Sequence, residues 1–184
     1  MRPIPSFPCR WLVVLVAAGI AACAGTACVA DAKNPRIPAD AKFEFACTTG
    51  EGGMLQVALI LPPPESVARF PLDKFEGPDG IGETRDLAEW SVSGGPKPAR
   101  ARTSISGWRG VDGDGFVLAK ARESGHSSDL ARVAKRFVAS EEARLRLVVK
   151  PPSAHGAAIK VEAPIAGHRE DVAKALAPCL AHVK

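Results

Sequence analysis

Apolar and polar residues alternate along several short segments of this 184-residue chain, and a period of two is the pattern of half-buried β-strands. In Lys42–Thr48 the alternation places Phe43, Phe45 and Cys47 on one face. Turn residues rich in glycine and proline separate these segments, which favours antiparallel hairpins. About seven strands are predicted, over 42–48, 54–61, 86–93, 99–106, 116–121, 143–150 and 158–163.

The period changes to that of a helix in two places. Apolar residues follow the i, i+3, i+4, i+7, i+8 spacing of one helix face at Leu130, Val133, Ala134, Phe137 and Val138. A second helix is predicted over 168–177, ended by Pro178. The sequence therefore predicts an α+β fold, an antiparallel sheet of about seven strands with two helices packed on it.

The first thirty residues have the composition of an export signal. Arg2 and Arg10 precede an uncharged apolar run over 11–22, and small residues follow it. As a helix this run is about 18 Å long, short of the roughly 30 Å hydrocarbon core of a membrane. The predicted organisation is a secretory signal peptide over 1–30, a flexible polar tether over 31–40 and one globular domain over 41–184. We expect an exported protein, periplasmic, anchored at the outer membrane or secreted.

Two ways of processing this leader are open. Residues 20–23 (Ile-Ala-Ala-Cys) resemble the lipobox of bacterial lipoproteins, which implies acylation of Cys23 and a lipid anchor. The alternative is ordinary cleavage at an A-x-A-like site, for example after Ala30. Of the five cysteines, that second cleavage leaves only Cys47 and Cys179. A membrane is expected as a partner only through the possible anchor.

Cys47 and Cys179 are predicted to form a disulfide. Export places them in an oxidising compartment, where a pair of cysteines is usually joined. On the predicted elements, Cys47 would lie on the inner face of the first strand of the domain, and Cys179 would follow its last helix. The chain has no C-x-x-C motif, so a structural bond is favoured over a redox pair. This bond would join the two ends of the domain.

The charge of the chain does not predict a nucleic-acid partner. The full chain has 24 basic and 20 acidic residues, and loss of Arg2 and Arg10 reduces the basic residues to 22. The charge is unevenly distributed, because residues 31–95 have 6 basic and 11 acidic residues, whereas 96–150 have 12 and 6. Such a split can steer a charged partner, but more often it reflects two halves of one surface that face each other or water.

Two motifs suggest chemistry, but each lacks a residue that the chemistry requires. Residues 125–129 (Gly-His-Ser-Ser-Asp) stand where a G-x-S-x-G nucleophile elbow would lie, but Asp129 replaces the last glycine and a helix N-cap explains the serines. Asp112 and Asp114 start like a calcium loop, yet Val117 replaces its turn glycine. The histidines lack metal-ligand spacing, so no metal or cofactor is predicted. A small hydrolase using Ser127 and His126 is a minor alternative.

The candidate binding residues are Trp108 and Arg109, together with Arg100 and Arg102 on the preceding strand. Tryptophan and arginine are common at the centres of protein interfaces, although a tryptophan here also suits core or sheet-edge cover. The long 62–85 segment is a second candidate loop. The basic helix residues Arg132, Lys135 and Arg136 form a solvated face or, in a lipid-anchored chain, a contact to anionic head groups or peptidoglycan carboxylates.

These observations predict a non-catalytic cell-envelope protein, a binding or inhibitor module that acts through contact with an envelope or extracellular protein. The alternative is a structural lipoprotein of an envelope assembly. The sequence carries no signal for a particular oligomeric state.

Overall fold

The computed structural model describes residues 41–48, 54–62, 67, 70–77, 79–110, 115–123, 129–153, 156–181 and 183, and the backbone of Val13–Val16. For residues 122 and 123 the backbone alone is described. These residues form two antiparallel sheets, three α-helices and a 3-10 helix at Leu72–Phe75. The α+β class predicted from the sequence is confirmed.

The first sheet has the strand order β1-β2-β3-β7-β6. Its strands are β1 (Val13–Val16), β2 (Lys42–Thr48), β3 (Met54–Leu61), β6 (Ser106–Arg109) and β7 (Phe116–Glu123). The second sheet has the order β5-β4-β8-β9. Its strands are β4 (Ala88–Ser93), β5 (Ala99–Thr103), β8 (Arg144–Val149) and β9 (Ile159–Pro164). Without β1, each sheet has four strands.

The chain passes from the second sheet to the first between β5 and β6. The sequence predicted one strand over 99–106, but β5 ends at Thr103 and a new strand begins at Ser106. Between them Ile105 is fully buried, and its backbone N–H donates to the carbonyl of Gly82 at 2.9 Å. Ile105 therefore does not continue the hydrogen bonding of β5. The residues predicted as one strand belong to two strands, one in each sheet.

The helices are α1 (Ile81–Thr84), α2 (Asp129–Phe137) and α3 (Arg169–Leu180). The inner faces of both sheets and the apolar sides of α2 and α3 belong to one hydrophobic core. α2 contacts β4 and β5 of the second sheet, and its Phe137 stacks on Phe45 of β2 with ring centroids 5.5 Å apart. This helix therefore joins the two sheets.

The predicted disulfide is confirmed. Cys47 of β2 and Cys179 of α3 are bonded, with their Cα atoms 5.9 Å apart. The expected end of α3 is wrong, because the helix continues through Pro178 to Leu180. A proline so near the end removes one backbone donor, and its ring is exposed to solvent. The buried, disulfide-bonded Cys179 beside it holds the last turn against β2.

The described part of the 62–85 segment is folded against the core. It contains the 3-10 helix and α1, and Phe75 is fully buried. Gly82 is required here, since a Cβ would lie 2.3 Å from the carbonyl oxygen of Ile105 and 2.4 Å from the Phe75 ring. The described apolar residues of this segment therefore belong to the hydrophobic core.

Candidate binding surface

The four predicted binding residues lie in two pairs, one pair on each sheet. Trp108 and Arg109 lie in β6, at an edge of the first sheet. Trp108 is 42% exposed, and Arg109 Nε lies 3.9 Å from Glu76 Oε1. Arg100 and Arg102 lie in β5, at an edge of the second sheet. The two pairs do not share a strand face.

Alternation in the sequence builds the outer face of the second sheet. In β5 the small residues Ala99 and Ala101 are buried where α2 packs, and the arginines that alternate with them are exposed. In β8 the leucines are buried, and Arg144 and Arg146 are exposed in the same way. Both strands are therefore basic on the side turned away from the core.

Strand pairing adds the residues of β4 and β9 to this face. Arg100 lies opposite Ser91, which lies opposite Arg146, and Arg102 lies opposite Glu89. We call the resulting surface the basic face. Its charged residues are Arg100, Arg102, Arg144, Arg146, Lys150, Lys160, Glu89 and Glu162. Six cations face two carboxylates, so the basic face has a net charge of +4.

Both carboxylates of the basic face are engaged by neighbouring cations. Glu89 Oε2 lies 3.8 Å from Arg102 Nη2 and 3.6 Å from Lys150 Nζ. Arg144 Nε donates to Glu162 Oε1 at 2.5 Å. Exposed pairs of this kind add little stability, commonly below about 1 kcal/mol. Their main effect here is to neutralise part of the surface.

Arg100 and Arg146 are the two arginines of the basic face without an ion pair in the described structure, although Arg146 lies opposite Glu162, whose carboxylate accepts from Arg144. Within the residues that the structure describes, neither guanidinium has an ion-pair or hydrogen-bond partner, and neither does the Ser91 hydroxyl between them. Adjacent strands are about 4.8 Å apart, so the two arginine Cα atoms are about 10 Å apart. Both side chains can reach one anion above Ser91. Arginine suits this task because its planar guanidinium binds a carboxylate through two parallel hydrogen bonds.

The basic residues of α2 are more engaged within the protein. Arg132 donates to Asp129 on its own helix, and Lys135 Nζ donates to the backbone carbonyl of Val183. Arg136 is half-buried. This helix therefore offers less free positive charge than the basic face.

Sequence reasoning found only part of the basic face. It identified Arg100 and Arg102, and it missed Arg146, Lys160 and the central Ser91. The alternation of β8 and β9 indicated that their polar residues face outward. Their assembly depends on β4 pairing with both β5 and β8, which no local pattern reveals.

Several candidates lie outside the described residues. These are Cys23, Asp112, Asp114, His126 and Ser127. Within the described ranges no three His, Cys, Asp or Glu side chains come together as metal ligands. No helix in the same ranges is long and apolar enough to cross a membrane. Comparison with known proteins finds no matching family model, no significantly similar curated protein and no significantly similar solved structure.

Proposed function

We propose that this protein is a non-catalytic binding or inhibitor module of the cell envelope, which binds an acidic protein through the basic face. The observation that carries the proposal is the row Arg100–Ser91–Arg146, two arginines without an anion partner in the described structure on either side of a hydroxyl. A carboxylate of the partner would accept hydrogen bonds from both guanidinium groups and from Ser91. The ion pairs at Glu89 and Glu162 would form the rim of the contact.

The size of the basic face indicates the kind of complex. Four strands about 4.8 Å apart and about six residues long give an area of roughly 20 by 20 Å. That is about half of the 800 Å² that each partner buries in a standard interface. We therefore expect a weak or transient complex whose association is steered by charge and whose affinity falls steeply with salt.

The test compares two variants that lose the same charge. Arg100→Gln/Arg146→Gln removes the two unpaired arginines, and Arg132→Gln/Arg136→Gln removes two arginines from α2 as the matched control. The exported protein is crosslinked in intact cells, and the partner is identified by mass spectrometry and purified. Its affinity is then measured at about 50 and 200 mM salt, after equal thermal stability of the variants has been established.

We expect the basic-face variant to bind about tenfold or more weakly, as for loss of a charged hydrogen bond of roughly 1.5–3 kcal/mol. The α2 variant should keep the affinity of the unmodified protein. Equal affinity of both variants, or an affinity that does not change with salt, would show that the basic face is not the contact. A loss confined to the α2 variant would assign the contact to that helix.

A further inference from the structure

A second candidate surface is the edge of the first sheet at β2. β1 adds to the outer edge of β2 in an antiparallel register, from Val13 opposite Phe45 to Val16 opposite Lys42. The segment is Val-Val-Leu-Val, a short apolar sequence of high β-propensity. The β2 edge therefore receives an extended apolar strand in the structure itself.

The neighbourhood of this edge suits a narrow strand. α3 contacts β1 as well as β2 and β3, so the added strand lies beside a helix. The disulfide between Cys47 and Cys179 holds that helix next to β2. A strand at this position pairs its backbone with β2 and lies near α3.

Removal of the predicted signal peptide would open this edge. Val13–Val16 lies within residues 1–30, and both processing sites considered above are C-terminal to it. Alternate residues of β2 would then present unpaired backbone donors and acceptors, which is the template for pairing with another chain. We propose that in the processed protein the β2 edge binds an extended apolar segment of a partner protein by strand addition, in the register now held by β1. The proposal is independent of the basic face.

The experiment supplies such a segment in trans. The probe is a synthetic peptide of residues 11–18 with a solubilising lysine tail, and its control replaces Val14 and Leu15 with proline, which removes backbone donors. The processed protein is purified from the cell envelope, and its intact mass establishes that residues 13–16 are absent. The full chain that retains its leader is the second control, since β1 covers its edge.

We expect the first peptide to bind the processed protein and to slow amide exchange in residues 42–45. The proline peptide should bind about tenfold or more weakly, and the leader-retaining chain should not bind either peptide. The processed Arg100→Gln/Arg146→Gln variant should bind the first peptide with the affinity of the unmodified processed protein. This result separates strand addition from the proposal on the basic face.

Four results would overturn the inference. Equal binding of both peptides would indicate nonspecific apolar contact, and protection of amides outside β2 would indicate another site. A processed dimer with protected β2 amides would mean that a second copy occupies the edge. An exported protein that retains Val13–Val16 would mean that the edge is never open.

Discussion

Trp90 and Thr103 form a buried polar pair on the inner face of the second sheet. Trp90 is fully buried, and its indole Nε1–H donates to Thr103 Oγ1 at 2.9 Å. Thr103 is the buried polar residue among the described core positions. A buried donor that loses its acceptor costs more than the bond itself contributes, because the donor has already lost its water. The Thr103 hydroxyl is therefore the acceptor that satisfies the buried indole N–H of Trp90.

Replacement of Thr103 tests this dependence on a single acceptor. Thr103→Val keeps the shape of the side chain and removes the oxygen, so we expect unfolding to become easier by about 1–3 kcal/mol. Thr103→Ser keeps the acceptor and should cost about 0.8 kcal/mol, the value of one buried methyl-sized group. Urea denaturation measures both changes. The chemical shift of the Trp90 indole N–H should change in Thr103→Val and stay the same in Thr103→Ser. An unmoved resonance in the valine variant would contradict the assigned bond.

The elements with the strongest local pattern are also the ones that the sequence predicted best. β2 and β3 have the predicted bounds, and α2 begins and ends one residue before the predicted apolar pattern of residues 130–138. β6 was missed because it has only four residues and includes Gly107, so it lacks an alternating pattern. Its Trp108 was expected after a strand and lies within one.

The candidate site was less predictable than the elements that form it. Alternation in β5 and β8 is visible in the sequence and places Arg100 and Arg146 outward. The two arginines lie in one row only because Ser91 of β4 is opposite each of them. That arrangement depends on the pairing of β4 with β8, which is far from it in the chain. The disulfide was predictable because predicted export favours disulfides, and predicted cleavage after Ala30 leaves Cys47 and Cys179 as a single pair.

The disulfide is the covalent link between two elements, β2 and α3. It closes a loop with a sequence separation of 132 residues. By chain-entropy arguments, a loop of this length restricts the unfolded chain by up to about 5 kcal/mol, and measured losses are typically about 2–5 kcal/mol. We expect Cys47→Ala/Cys179→Ala to lower the free energy of unfolding within that range.

Thermal and urea denaturation of this variant measure the loss. Unmodified protein unfolded with a reductant present should match it, because reduction removes the same link. Amide exchange should rise most in α3, whose last turn contains Pro178 and depends on the bond. A variant as stable as the parent protein would show that packing alone holds α3 on β2.

At the scale of the whole molecule, one core joins two sheets whose described strands have no backbone pairing with each other. Phe137 is fully buried and connects them, because its helix packs on β4 and β5 while its ring stacks on Phe45 of β2. Cooperative unfolding of both sheets should therefore depend on this side chain.

Phe137→Ala should lower the free energy of unfolding by about 3–5 kcal/mol, since it leaves a cavity between the sheets. Val138→Ala, at a half-buried neighbouring position, should cost clearly less. In a Trp11→Phe/Trp108→Phe background, Trp90 is the remaining tryptophan and its fluorescence reports on the second sheet. We expect fluorescence and far-ultraviolet circular dichroism to give one coincident urea transition, at a lower midpoint in Phe137→Ala. Two separate transitions in the unmodified protein would mean that each sheet folds alone, and a single core could then not explain the stability of the molecule.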